Sequence, residues 1–390
     1  MQLSDILPAL AALSVLLLAW QLIVAARFRL HRRMRANDFA PGISILKPLK
    51  GCDAETRACL RSWMQQDYEG PLQILFGVRS MDDPVCGLVN ELLAENSGCR
   101  AQLILCPEAI GPNAKVSTLA QLEPFAWHEV LCVSDADVHA PKDFLSCAAA
   151  PLRWRDVVLV NCFYRFVNPT GAGMHWEAFA VNADFWGQVL LARSLRPMDF
   201  GLGAAMLLHR DRLAHVGGFT ELAQYAADDY QLGQRLTRDG GRIVLTSVVV
   251  DCRSAPMSFS GVWAHQQRWA RIIRVCRPVG YFFSILGNAT FWPLLWLACA
   301  PSKISAVGAV ACWTFRMVSG AWLERKMTGT RHPATTGLAL MKDMLQLVIW
   351  ASAFASRRIN WAGIDYDMDR DGRLAAGSSG KPVDASRHKE

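Results

Sequence analysis

The sequence predicts an α/β domain flanked by membrane helices on both sides. Three observations predict it. An apolar run, Ile6 to Ala26, ends in a cluster of arginines. From residue 41 to about 255, short β-rich strings alternate with amphipathic stretches. After Arg277 long apolar segments return.

The first run is long enough to cross a bilayer, since about 20 helical residues span roughly 30 Å. Arg27, Arg29, Arg32, Arg33 and Arg35 follow it, and only Asp5 precedes it. A cleaved secretory signal has the opposite order, basic residues first, so residues 1–35 read as a retained anchor with a basic flank. The positive-inside rule then places residue 27 onward in the cytosol.

Residues 36–261 read as the cytosolic domain. The strings Ile43–Leu46, Leu72–Val78, Gln102–Cys106, Val130–Ser134, Val157–Cys162 and Ile243–Val250 read as strands. Glu55–Gln66 and Gly87–Glu95 read as helices between them. Such alternation implies βαβ units and a mainly parallel sheet covered on both faces. Residues 262–278 set Trp263, Trp269, Ile272 and Ile273 among Arg268, Arg271, Arg274 and Arg277. That mixture suits a basic helix lying at a membrane surface.

Val279–Ala300 and Ile304–Leu323, within residues 279–358, are long enough to span and are separated only by Pro301, Ser302 and Lys303. Leu338–Ser356 carries Lys342 and Asp343, which are costly at a bilayer centre. A re-entrant or interfacial placement is slightly favoured, because it keeps the flanking cations Arg325, Lys326, Arg331, Arg357 and Arg358 on one side. Residues 359–390 read as a polar, disordered tail. Within it Asp365–Gly372 resembles the start of a calcium loop but has Ser378 where a bidentate Glu belongs, so it reads as a solvated acidic turn.

Bulk composition agrees. Hydrophobic residues make up 52% and mean hydropathy is +0.15, high for a soluble globular chain. The net charge is +7, and the basic residues cluster beside the apolar runs, which favours an anionic membrane surface as partner over a basic surface with no special partner. No basic-aromatic stretch or zinc-finger spacing points to nucleic acid. The 12 cysteines form no CxxC pair, and many sit in apolar strings, so buried reduced thiols and a reducing compartment are expected.

Four polar clusters stand out: Asp82-Asp83-Pro84, Asp135-Ala136-Asp137, Asp228-Asp229-Tyr230 and His265-Gln266-Gln267-Arg268-Trp269. Singly, such clusters also make turns and helix caps. The first two, however, directly follow strands, and ligands of open parallel sheets bind at the carboxyl ends of strands. Asp-x-Asp offers hard oxygens to Mg²⁺ or Mn²⁺. A further carboxylate such as Asp229 can take a proton as general base. A guanidinium such as Arg268 can hold a departing diphosphate through forked hydrogen bonds.

Ordered strings then make the chain resemble the ceramide glucosyltransferases, of the family-21, family-2-like class with a GT-A fold (a Rossmann-like nucleotide-diphospho-sugar transferase domain). They are Ile45-Leu46-Lys47-Pro48-Leu49-Lys50-Gly51, Asp82-Asp83-Pro84, Gly111-Pro112-Asn113-Ala114-Lys115-Val116, Asp135-Ala136-Asp137, Gly217-Gly218-Phe219, Ala227-Asp228-Asp229-Tyr230 and Arg268-Trp269. The resemblance implies a UDP-sugar donor, a divalent metal cofactor, a membrane-lipid acceptor and an inverting hexosyl transfer, with glucose and ceramide favoured. It implies that Asp83 lies near the nucleotide, that Asp135 and Asp137 form the metal pair, and that Asp229 is the base. Arg268 and Trp269 would serve the diphosphate and the acceptor, Lys47 and Pro48 would line the donor pocket, and Lys115 would touch the donor. The signature position that carries Gln or Arg in the family is His265 here; a neutral imidazole still donates a hydrogen bond, with a charge sensitive to pH.

The His-x-x-Arg-Trp form and the segment 271–280 are also similar to bacterial enzymes that glycosylate hopanoids, so bacteriohopanetetrol with UDP-GlcNAc or another UDP-sugar is an alternative. More remote alternatives are a processive polysaccharide synthase and a non-catalytic lipid-binding or transport protein. The resemblance implies an inner membrane in bacteria, or the ER or Golgi in a eukaryote, with the catalytic domain cytosolic.

Overall fold

A computed structural model describes residues 3–35, 38–330, 337–361 and 363–376. Arg331 and the tail beyond Ala376 lie outside them. The described residues form two compact units, one drawn from 28–169 and 192–256, the other from 3–27, 170–191 and 257–376.

The first unit holds one eight-stranded mixed sheet of order β3-β2-β1-β4-β7-β6-β8-β5. Its strands are β1 (Ile43–Pro48), β2 (Leu72–Val78), β3 (Ala101–Leu105), β4 (Val130–Ser134), β5 (Val138–His139), β6 (Val157–Phe166), β7 (Ala205–His209) and β8 (Arg242–Cys252). All six expected strands form. The sheet is less parallel than expected, because β7 runs antiparallel to both β4 and β6, and β5 antiparallel to β8. Neither reversed strand was foreseen: β5 has two residues, and β7 follows a glycine-rich loop without a preceding helix signal.

Central strands are buried almost end to end, as β1 (Ile43, Ser44, Ile45, Leu46, Lys47) shows, because helices cover both faces. In β1 the register Ile43↔Leu72 and Ile43↔Val130 aligns the carboxyl ends of β2, β1 and β4. Helices α2 (Thr56–Met64), α3 (Val85–Glu95), α4 (Ala114–Leu122), α5 (Phe144–Ala148), α8 (Arg210–His215) and α9 (Asp228–Leu236) complete this unit. Trp63 on α2 is fully buried and donates from Nε1 to the Val138 carbonyl at 2.9 Å.

The second unit contains α1 (Leu3–Arg27), α6 (Ala172–Phe179), a π-helical stretch Ala180–Phe185, the first residues of α7 (Trp186–Leu195), α10 (Phe259–Cys276), α11 (Pro278–Phe283), α12 (Phe291–Cys299), α13 (Lys303–Thr328) and α14 (Leu338–Ala355). Residues 170–191, read as part of the soluble domain, instead pack with the apolar helices. Their burial of Trp176, Phe179 and Trp186 accounts for this. Among the described residues, three helices are long and apolar enough to cross a membrane: Ile6–Arg27, Lys303–Thr328 and Leu338–Ala355.

The segment Val279–Ala300, expected as one span, is broken. Residues 278–287 and 291–299 meet at 59°. Asn288 makes the break: its Oδ1 accepts from Thr290 N at 3.1 Å and Phe291 N at 2.8 Å, restarting the helix as α12.

The charges that argued against a third span have partners. Asp343 accepts from Arg316 Nε at 2.8 Å, from Lys342 Nζ at 2.8 Å and from Thr290 Oγ1 at 2.6 Å. Asp184 accepts from Arg316 Nη2 at 2.8 Å and pairs with Lys342. All four charged residues are buried, and their formal charges cancel. Asp184 lies in the π-helical stretch, whose wider turn places one extra residue on the inner side. The cost of these charges, one objection to a third span, is therefore met by protein partners; the flanking cations bear on its placement independently.

Arg271 and Arg274, on the helix read as lying at a membrane surface, donate to the Arg358 carbonyl at 2.6 Å and the Ser356 carbonyl at 3.4 Å. They stop α14 by satisfying carbonyls past its last turn. The described residues of 359–376, read as part of a disordered tail, instead form with Arg358 a three-stranded antiparallel sheet, β9 (Arg358–Trp361), β10 (Ile364–Met368) and β11 (Leu374–Ala376). Ile359, Tyr366, Met368 and Leu374 give it a buried side. The acidic turn does form: Asp369 Oδ1 accepts from Asp371 N and Arg373 N, each at 2.8 Å, closing the β10–β11 hairpin. All 12 cysteines are free, and most are buried.

Candidate active site

The first carboxylates follow β4. The chain leaves the sheet at Ser134 as Asp135-Ala136-Asp137. Asp135 N–H donates to the Ala204 carbonyl at 3.1 Å, tying this turn to the loop before β7. Beneath it Lys47, at the end of β1, is fully buried. Its ammonium donates to the Asp135 carbonyl at 2.7 Å and to Ser134 Oγ at 3.1 Å, and lies 4.8 Å from the Trp63 ring centre. Burial pushes the Lys47 ammonium down to about 8, although nearby anionic groups, Asp135 and Asp137 among them, oppose the shift. Lys47 thus supports the backbone of the Asp-x-Asp turn from below. Pro48 follows it, half-buried, as the last residue of β1.

The second carboxylates open α9, where the positive end of the helix favours them. Asp229 Oδ1 accepts from Tyr230 N at 2.7 Å, and its carbonyl accepts from Gly201 N at 3.0 Å. Gly201 and Gly203 permit this approach: a Cβ on Gly201 would lie 2.5 Å from the Asp229 carbonyl oxygen, and one on Gly203 3.1 Å from Asp229 Oδ2.

Lys115 joins the two groups. Its Nζ is 2.6 Å from Asp135 Oδ1 and 3.6 Å from Asp228 Oδ2. Asn113, the N-cap of α4, accepts from Val116 N and donates to the Tyr225 carbonyl at 2.9 Å and to Asp228 Oδ1 at 3.4 Å. Helix α4 thereby aims Lys115 at both aspartates. Burial works against the Lys115 charge, but Asp135 and Asp228 outweigh it and hold the ammonium well above its ordinary range. Burial, then the Asp228 charge, push the Asp229 carboxyl up to about 7, with Lys115 opposing. Asp137 is exposed at its surface yet stands among dense protein; desolvation and then Asp135 push it up to about 6.

Asp83 has a backbone role. Both its carboxylate oxygens accept from Gly51 N at 3.0 Å, and Oδ1 also accepts from Val85 N at 3.0 Å. It fastens the loop after β1, where Gly51 adopts φ +70°, to the start of α3.

The donor chemistry suits a divalent cation. Asp135, Asp137, Asp228 and Asp229 outnumber Lys47 and Lys115, and after burial this like charge is the next cause that raises Asp137 and Asp229. No group of three or more His, Cys, Asp or Glu side chains arranged for a metal occurs among the described residues. A pair of carboxylates is nevertheless what Mg²⁺ or Mn²⁺ uses when substrate phosphates and water complete its shell.

Arg268, Trp269 and His265 lie on α10, in the other unit. His265 Nδ1 is 2.7 Å from Glu177 Oε1, and Gln266 Nε2 donates to the same oxygen at 2.9 Å. The His265 ring packs on Trp269 with centroids 4.5 Å apart. The Arg268 guanidinium lies 6.0 Å from the Trp361 ring centre, and burial lowers its pKa against the pull of Glu177. Glu177 on α6 is 4% exposed and went unnoticed in the sequence; a lone acid in the apolar string His175–Val181 was the available signal. Glu177→Ala strands two donors, so it should cost about 1–3 kcal/mol. Glu177→Gln keeps an acceptor and should cost less. Thermal unfolding of the purified variants checks this order.

Residues 6–374 match the sequence model described as "Glycosyl transferase family 21". The chain belongs to glycosyl transferase family 21. This family-21 chain is similar to "Ceramide glucosyltransferase 3" of Caenorhabditis elegans, 23% identical over 248 residues, 63% of this chain and 54% of that one. It is also similar to a ceramide glucosyltransferase of Candida albicans, 31% identical over 137 residues, 30% of this chain and 25% of that one. The chain spans about half the length of the first of these relatives. Among solved structures it is similar to a mannosyltransferase from Pyrobaculum calidifontis in complex with GDP-Man and Mn²⁺, with a TM-score of 0.52 and 18% identity, covering 89% of this chain and 98% of that one. The family-21 chain therefore has a GT-A-like α/β fold, with apolar helices at both ends that are candidate membrane spans.

Proposed function

We propose that this family-21 chain transfers a hexose, glucose by preference, from a UDP-sugar to the hydroxyl of a membrane lipid, with ceramide as acceptor and glucosylceramide as product. The observation that carries the reading is the Asp229 carboxyl, held near neutrality beside the Lys115-linked Asp135 and Asp228. Such a group can take the proton of an attacking hydroxyl at physiological pH. Relatives named as ceramide glucosyltransferases support the acceptor and sugar. Apolar helices in the same chain support a lipid substrate.

The acceptor oxygen attacks the anomeric carbon as Asp229 takes its proton, and the bond to the diphosphate breaks with inversion. Lys115, adjusted by Asn113, keeps Asp135 and Asp228 oriented. Asp135 and Asp137 would hold a divalent cation, which supplies charge neutralisation at the departing diphosphate; the Mn²⁺ in the mannosyltransferase complex supports this choice. Arg268 and Trp269 are assigned to the diphosphate and the acceptor on their sequence signature. The basic residues after α1 favour a cytosolic face.

The test is direct. The purified chain, given UDP-glucose and ceramide, should yield glucosylceramide by mass spectrometry. Bacteriohopanetetrol with UDP-GlcNAc is the comparison pair, and product from that pair alone would overturn the assignment. Chelation of divalent ions should abolish transfer, and Mg²⁺ or Mn²⁺ should restore it. Full turnover in excess chelator would remove the metal pair.

A further inference from the structure

The chain between α1 and β1 is docked along β8. His31 N–H donates to the Ser247 carbonyl at 2.7 Å, and Ser247 Oγ donates to the Arg32 carbonyl at 2.5 Å. His31 takes φ +62°, a left-handed turn that is uncommon outside glycine. Phe28 anchors the start of the segment, its ring 5.7 Å edge-on from Phe163. Between this strap, β8 and the segment around Trp154 lies a cavity of about 440 Å³.

Its lining combines two chemistries. Arg29, Arg32, Arg35, Arg153 and Arg242 all face it, together with Phe28, Met34 and Trp154. Three arginines have counter-ions: Arg35 pairs with Asp67 and Asp143, Arg153 with Asp38, and Arg242 with Asp156 at 2.8 Å. Arg29 and Arg32 have no carboxylate partner among the described residues. Met34 and Trp154 are 57% and 59% exposed, unusually open for large apolar groups. An arginine pair lacking counter-charge beside exposed apolar and indole groups calls for an anion that carries a hydrocarbon portion.

Covalent geometry puts this cavity near lipid. Arg29 and Arg32 are two and five residues beyond Arg27, the last residue of α1. At about 3.6 Å per extended residue, Arg32 lies within roughly 18 Å of the end of that apolar helix. Arg29, two residues on, lies within about 7 Å of it, comparable to the thickness of one head-group layer. None of the lining residues belongs to the Asp135–Asp229 cluster.

We infer that the cavity is a binding site for the phosphodiester head group of an anionic membrane lipid. Arg29 and Arg32 supply the charge, the strap on Ser247 holds them in place, and Trp154 and Met34 meet the glycerol and upper acyl carbons.

The test measures binding, so it is independent of which sugar or acceptor the chain uses. Native mass spectrometry of the full detergent-solubilised chain would be titrated with dioctanoyl phosphatidylglycerol, dioctanoyl phosphatidylcholine and inorganic phosphate. Phosphatidylglycerol should bind at least tenfold more tightly than phosphatidylcholine or phosphate. R29Q/R32Q removes two interfacial cations, each contributing about 1 kcal/mol, so binding should weaken roughly thirtyfold. Both side chains are exposed, so lipid-free thermal unfolding should not change, which separates lost binding from lost fold. Equal binding of phosphatidylcholine would overturn the charge requirement, and equal binding of phosphate the lipid as source. Undiminished phosphatidylglycerol binding by R29Q/R32Q would overturn the site.

Discussion

Asp229→Asn is expected to reduce transfer by about 10² to 10⁴-fold, the range for loss of a general base, while donor binding persists. The substitution keeps the side-chain volume and an oxygen to accept from Tyr230 N–H, so α9 should still start where it does. Single-turnover assays beside equilibrium binding of the UDP-sugar separate the two effects. Near-normal turnover by the variant would show that another group takes the proton. The wild-type pH profile gives a second reading. A base must be ionised to act, and the Asp229 carboxyl ionises at about 7. The acid limb of kcat/KM should therefore rise through that pH instead of near 4. Asp228 is the nearby charge that raises Asp229, after burial. Asp228→Asn removes that charge and should move the limb to lower pH. A limb that stays put in Asp228→Asn would separate it from Asp229.

Arg316→Met is expected to be the most destabilising single change in the helical unit. Arg316 donates to Asp343 from Nε and Nη2 and to Asp184 from Nη2. Without it two buried carboxylates share one ammonium, Lys342. Breaking a buried pair from one side typically costs 3–5 kcal/mol, because the remaining charge is left uncompensated. The expected outcome is a strong loss of folded protein on purification and a lowered Tm. Arg316→Met with Asp343→Asn restores neutrality, since Lys342 and Asp184 then balance each other. It should recover a substantial part of the loss. If the double variant is no better than the single one, then the contact of the Arg316 guanidinium with the Phe179 ring, whose centre is 5.8 Å away, is the dominant contribution rather than charge balance.

Both predictions turn on charge in places where water is scarce, but the sequence exposed them unequally. Asp135 and Asp137 were legible because they follow a fully apolar strand, Val130–Ser134, and a strand end is where ligands gather in such sheets. Asp229 was legible through its place in an ordered series of motifs. Lys115 was legible as a member of a motif, but its position between Asp135 and Asp228 was not. The two aspartates lie just after β4 and on α9, far apart in sequence, and only the packing of α4 brings the ammonium to both. Glu177 was missed because its partners, His265 and Gln266, lie 88 and 89 residues away.

By itself the sequence determined what periodicity and local composition encode: six strands of the sheet, the helices between them, the apolar segments, and the positions of the acidic turns. These are short-range properties, since burial on both faces of a strand or immersion in lipid selects residue types within the segment itself. Tertiary structure alone decided the partners. It reversed β7, joined residues 170–191 to the apolar helices, broke the segment after Arg277 at Asn288, and matched Lys342 and Asp343 with Arg316 and Asp184. A charge is tolerable or ruinous according to what stands within a few ångströms of it, and that neighbour can come from 158 residues away, as Asp184 does for Lys342.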